Sequence, residues 1–200
     1  LCGGFNSNIF RKTQEMIRAN PDKEVSLIVA GRKAQMFFQS KPVKVLRQFV
    51  GWSKNLNFLK AAEIADILAQ LFIQGAVDKI YVIYNEFKSV IQQQVVVEQL
   101  LPIVPEEVKS HDLPVDYIYE PGEEGILDQL LTMYMNVEVY RAFLESSASE
   151  HGARMTAMDN ATRNASDMIG QLTLYYNKAR QAYITKELIE IVSGAEALKA

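Results

Sequence analysis

The stretch that decides the fold is "MTAMDNATRNASDMIGQLTLYYNKARQAY", Met155 to Tyr183. Within it Met155, Met158, Thr162, Ala165, Ile169, Leu172, Tyr176, Ala179 and Tyr183 recur at alternating steps of three and four. That spacing holds for four repeats, as in a left-handed coiled coil; a helix laid on a globular core would drift into a wider stripe of period 3.6. A seam of this kind needs a partner. Nine such positions left in water forfeit on the order of 10 kcal/mol of burial, at about 1.5–3 kcal/mol per large side chain. These 200 residues hold no second helix of comparable length. The partner is therefore a second copy or a segment outside them.

Outward from the seam, the helical pattern is long. No proline follows Pro121, and between Ile126 and Val192 only Gly152 and Gly170 weaken a helix, by about 1 kcal/mol each relative to alanine. Such a run, at ~1.5 Å per residue, makes a rod of about 100 Å even with a bend near "SSASEHGA". Its start is "PGEEGILDQLL", where Glu120, Glu123 and Glu124 suit the positive end of a helix dipole better than they suit a catalytic pair.

Before Pro121, strand-like and helix-like pieces alternate. "NIFRKTQEMIRAN" sets Ile9, Phe10, Thr13, Met16 and Ile17 on one face, with Asn6 or Ser7 as the cap. "EVSLIVAG" reads as a buried strand and "VKVLRQFVGW" as a strand with a helical alternative. "NFLKAAEIADILAQLFIQGAV" is a helix ended by Gly75; "DKIYVIYNEF" and "QQQVVVEQLLPIV" are strands. Alternation of this kind predicts an α/β layer with a mostly parallel, Rossmann-like sheet in residues 1–121, followed by one long helix in 122–200.

Composition narrows the function. Lys and Arg number 21 against 24 Asp and Glu, which argues against a general nucleic-acid binder. One cysteine excludes an internal disulfide within these residues. Apolar runs such as "VSLIVAG" are far short of the ~20 residues of a membrane span. "LCGGFNSN" lacks the Gly-Lys-Ser/Thr ending of a P-loop and the order of a dinucleotide site, and "AGRKAQ" fails both patterns. Cys2 has no basic neighbour, His111 and His151 lack metal spacing, and no Gly-x-Ser-x-Gly elbow occurs. Gly3 and Gly4 read as a tight turn after a strand. Arg154, Arg163, Lys178, Arg180, Lys186 and Glu187 on the long helix form either a solvated face or a contact surface for another protein.

At the end of the helix, "ITKELIEIVSGAEA" resembles the C-terminal signature of the gamma subunits of F-type ATP synthases. Ile184, Thr185, Glu187, Glu190, Gly194 and Ala195 meet its fixed places, Ile/Val-Thr-x-Glu-x-x-Asp/Glu-x-x-x-Gly-Ala. "LCGGFNSN", "DKIYVIYNEF", "LLPI", "DYIYEP", "ARMTAMDNATRNASDMI" and "YYNKARQAYIT" are similar to the family in the family's order, so the resemblance covers essentially the whole chain. Members of that family carry a long helix and a first strand before "LCGG", and the resemblance implies that the seam pairs with that N-terminal helix as an antiparallel coiled coil. Only "IVPEEVKSHDLPV" separates Pro102 from Asp116, which speaks against the plant type with its cysteine-bearing regulatory insert.

The resemblance implies a central rotor shaft that couples proton flow through a membrane ring to ATP synthesis or hydrolysis, with no catalytic site and no cofactor of its own. ATP, ADP and magnesium would bind the alpha and beta subunits. Arg154, Arg180, Gln181, Thr185 and Glu187 would face the beta subunits. The foot around Asp116 to Tyr119 would meet the epsilon subunit and the ring of c subunits. Nucleic acid is excluded as a partner, and the membrane is reached only through partners, on the cytoplasmic face of a bacterial plasma membrane or the matrix side of a mitochondrial one. Two rival readings are a small-molecule-binding α/β enzyme with a helical arm, and a homodimeric coiled-coil scaffold.

Overall fold

The computed structural model describes residues 2–51, 56–104 and 122–198, the side chains of Glu123 and Glu124 excepted. By contact density the chain divides into two compact units, Leu1–Thr156 and Ala157–Ala200. The change of secondary structure at residue 122 is not where compactness changes, because the first part of the long helix is packed into the core of the first unit.

The first unit begins with a turn in which Gly3 has φ +54°, a conformation glycine adopts without steric penalty. It leads into α1 (Phe5–Arg18), capped by Gly4 with no side-chain cap bond. The expected cap at Asn6 or Ser7 is corrected: both lie in the first turn, where Ser7 Oγ donates to Gly4 O at 3.0 Å. β1 (Ser26–Ala30) follows and ends at Gly31, whose φ of +107° turns the chain into α2 (Arg32–Gln39). The sequence reading gave no element to this short helix. Phe37 stacks on Phe10 of α1 at 4.4 Å between ring centroids, and Phe38 meets Phe10 edge-on. The crossover through α2 lets β2 (Lys44–Phe49) pair parallel to β1, from Ser26↔Lys44 to Ala30↔Phe49.

α3 (Phe58–Ile73) is capped by Asn57, whose side chain accepts from Lys60 N at 2.9 Å. It ends before Gly75, at φ +67°. Next come β3 (Ile80–Phe87) and β4 (Gln93–Leu101), antiparallel in register from Ile80↔Leu101 to Phe87↔Gln93. The expectation of a mostly parallel sheet thus holds for one of two strand pairs among the described residues. The reason is length: the segment 88–92 is enough for a hairpin and too short for the crossover a parallel partner needs.

α4 (Glu123–Ala197) is one unbroken helix of 75 residues, in agreement with the long helix expected from the sequence. Glu120, His111 and the stretch Asp116 to Tyr119 lie outside the described residues. The core of the first unit joins Ala61, Ile64 and Ala65 of α3, Ile80 and Leu100 of the hairpin, and Met135 and Val139 of α4.

Candidate partner-binding site

Within the first unit, α4 has two faces of opposite character. The buried face steps from Met135 through Val139 and Ala142 to Ser149. Polar groups close it against the hairpin. Glu145 Oε2 accepts from Phe87 N at 2.7 Å, Ser149 Oγ donates to Asn85 O at 3.0 Å, and Thr156 Oγ1 donates to Val90 O at 3.0 Å. At Gly152 the packing is so close that a β-carbon would stand 3.1 Å from Phe87 Cε2. A glycine that weakens the helix is used here for contact.

The second face is bare. Leu127, Leu130, Tyr134, Val137 and Leu144 are 41% to 57% exposed. They keep the same three-and-four stepping as Met155 and Met158, so the exposed seam in this unit begins 28 residues before the position read from sequence. The sequence reading missed this stretch because two apolar faces share it, and their sum shows no single period. Counting back from Met155 in sevens finds it.

The second unit is α4 alone. Every described residue from Met158 to Leu198 is exposed. Ile169, Leu172, Tyr176 and Tyr183 are 59% to 70% exposed, and Thr162, Ala165 and Ala179 share their stripe. Arg180 and Glu187 stand seven residues apart on one side of the helix, and Gln181 and Thr185 one turn apart on another; all four are exposed. Among the described residues neither Arg180 nor Glu187 makes an ion pair, whereas Arg163 pairs with Asp159 at 2.6 Å and Lys186 with Glu190 at 3.7 Å. Arg154, in the first unit, is half-buried and bonded to Glu150. The five candidate contact residues therefore do not form one cluster: they are distributed along the helix and around it.

One polar network marks the shoulder between the two faces of the first unit. Arg141 Nη2 donates to Glu98 Oε2 at 3.0 Å and to Tyr84 Oη at 3.1 Å, and Tyr84 Oη donates to Glu98 Oε2 at 3.0 Å. Burial pushes the Tyr84 phenol above its ordinary range, opposed by the bond from Arg141. The bond with Tyr84 holds the Arg141 guanidinium above its own range, against desolvation. Cys2 is buried, with Asn6 Nδ2 3.5 Å from its sulfur, and His151 is exposed. Among the described residues no group of three His, Cys, Asp or Glu is placed to hold a metal, and no helix is long and apolar enough to cross a membrane.

Comparison with known proteins gives one consistent answer. A family model described as ATP synthase matches residues 1–198. The ATP synthase gamma chain of an Anaeromyxobacter species is 49% identical over 201 residues, covering 100% of this chain and 69% of that one. The gamma chain of Moorella thermoacetica is 47% identical over 200 residues, covering 100% and 70%. Among solved structures, the central stalk and c-ring of the Tetrahymena thermophila mitochondrial ATP synthase contains a chain similar to this one, with TM-score 0.62 and 30% identity. That match covers 80% of this chain and 70% of that one. A chain in an OSCP/F1/c-ring assembly of the Euglena gracilis mitochondrial ATP synthase shares the fold, with TM-score 0.70 and 20% identity over 98% and 68%.

Proposed function

This chain belongs to the ATP synthase gamma-chain family, and from that premise we infer how it works. It is the central rotor shaft, coupling proton flow through the membrane ring to ATP synthesis or hydrolysis at the catalytic head. The observation that carries the reading is α4 itself: 75 residues of continuous helix, bare on every side from Met158 onward. A helix has no stable reason to leave so many apolar side chains in water unless other chains cover them.

The seam from Met155 to Tyr183 pairs with the N-terminal helix of the family as an antiparallel coiled coil, which supplies stiffness. The surface left over meets the three beta subunits in three different ways, because the shaft lacks threefold symmetry. Each beta subunit is thereby biased toward a different conformation, and rotation exchanges the three states and their nucleotide affinities. Arg154, Arg180, Gln181, Thr185 and Glu187 make those contacts. Residues 1–121 form the Rossmann-like foot that meets the epsilon subunit and the c-ring, and 122–200 the shaft. ATP, ADP and magnesium bind the alpha and beta chains, and this chain contributes mechanics, with no reaction of its own. The complex sits on the cytoplasmic face of the plasma membrane, as the bacterial relatives suggest.

The test is to assemble the full-length chain with alpha and beta subunits and replace Arg180 and Gln181 by alanine. ATP turnover is expected to slow. Turnover equal to the unmodified complex would remove these two residues from the contact set. The rival enzyme reading requires the isolated chain to bind a nucleotide or small substrate, measurable by calorimetry. The homodimer reading requires self-association in analytical ultracentrifugation.

A further inference from the structure

The exposed apolar stripe on the first unit's part of α4 is interrupted at Arg141 and again at His151, and only the first sits beside two carboxylates. Leu127, Leu130, Tyr134 and Val137 lead to Arg141 in the next seam position. Around Arg141 the charges do not balance. Glu98 of β4 and Glu138, three residues back on α4, both approach it: Glu98 Oε2 at 3.0 Å and Glu138 Oε2 at 3.4 Å. The first is a hydrogen bond. The second is not, and Glu138 Oε2 is buried and receives no hydrogen bond among the described residues. Tyr84 Oη donates its hydrogen bond to Glu98 and none to Glu138. Two carboxylates thus share one guanidinium, on the shoulder of an exposed apolar face, with one carboxylate oxygen lacking a donor.

A buried carboxylate oxygen held by an ion pair but given no hydrogen bond keeps part of its desolvation penalty, and burying the cluster under a neutral helix would enlarge it. We propose that the helix covering this stripe carries a lysine or arginine opposite the Glu98–Glu138–Arg141 cluster, and that this cation fixes the register in which the helix lies on α4. A charged position in an apolar seam sets register in coiled coils by this means. The proposal rests on the paired-helix reading above. The relatives have room for such a helix: the 201 matched residues are 69% of the Anaeromyxobacter chain, which leaves about 90 residues, long enough at ~1.5 Å each to run beside the whole stripe. A second copy of this chain in parallel register would instead set Arg141 against Arg141 and bring two anionic clusters together.

The experiment uses the full-length subunit assembled with alpha and beta chains, in a Cys2→Ala background. Val137→Cys and Met155→Cys are each paired with single cysteines scanned along the part of the chain outside the matched region, and disulfides are mapped by mass spectrometry. Crosslinks are expected in one register, with a lysine or arginine in the position that faces Arg141. Glu138→Gln is expected to lower the crosslinked fraction at least threefold. Glu138→Lys is expected to lower it further, and reversal of the facing cation to glutamate to restore it. Crosslinks in one register with an acidic or neutral residue facing Arg141, or an unchanged fraction in Glu138→Gln, would overturn the proposal and leave the paired helix standing. No crosslink within one chain from either Val137→Cys or Met155→Cys would overturn the paired-helix reading itself.

Discussion

Replacing Gly152 and Gly170 by alanine, one at a time, separates two roles that glycine plays on the same helix. Both lie within α4, so each substitution gains the intrinsic helix preference of alanine, about 1 kcal/mol. At Gly170 nothing stands within 4 Å of the new β-carbon, and the gain is kept whole. At Gly152 the new atom meets Phe87 Cε2 at 3.1 Å, and Gln93 Nε2 and Val90 O at 3.4 Å. Phe87 ends β3 and its ring is packed against the helix, so relief requires that ring to give by a few tenths of an ångström, at about 1–3 kcal/mol for an overpacked site. The expected results are a stabilisation of about 1 kcal/mol for Gly170→Ala and a net change between zero and a loss of about 2 kcal/mol for Gly152→Ala. Urea unfolding of the full-length subunit, followed by far-ultraviolet circular dichroism, reads the difference as a shift in midpoint. A Gly152→Ala protein as stable as Gly170→Ala would refute the close-packing argument.

Three further outcomes follow from the first unit. Ser149→Ala removes the donor to Asn85 O from a fully buried site and is expected to destabilise by about 1 kcal/mol, while the bulkier Ser149→Val should lose more; thermal melts of the pair give the order. Asn57→Ala removes the cap bond to Lys60 N and should lose about 1 kcal/mol, largely recovered in Asn57→Ser. Tyr84 has a raised folded-state pKa because burial disfavours its phenolate. The unfolded chain then releases this proton first, so the contribution is fully present below about pH 10, the unfolded value, and is lost as pH rises through the higher folded value. Melting temperature followed from pH 9 to 12 should fall less steeply in Tyr84→Phe than in the unmodified protein.

How much of this was legible beforehand differs along α4, and the reason is the number of apolar faces. Beyond Met158 one stripe dominates, so the seam of Ile169, Leu172, Tyr176 and Tyr183 could be read from spacing alone. Between Leu127 and Thr156 a second apolar stripe, Met135, Val139 and Ala142, is interleaved with the first. Sequence spacing cannot tell which of the two is covered. The packing of α3 and the hairpin on Met135 and Val139 decides it, and by doing so leaves Leu127, Leu130, Tyr134 and Val137 for a partner. The candidate contact residues from Arg180 to Glu187 were named through the family resemblance, Arg180 and Gln181 in "KARQ" and Thr185 and Glu187 in the terminal signature, since their charge alone suits a solvated face equally well.

The sequence by itself determined the long helix, the apolar stripe along its upper part, the turn at Gly75, and the family. These depend on neighbours within one or two turns, where residue type governs the backbone directly. Tertiary structure alone decided the contact role of Gly152 and the meeting of Arg141 with Tyr84 and Glu98; the antiparallel pairing of β3 with β4 was already implied by the short link 88–92. The contacts made by Arg141 and Gly152 depend on atoms brought together from positions 43 to 65 residues apart. No local preference encodes either.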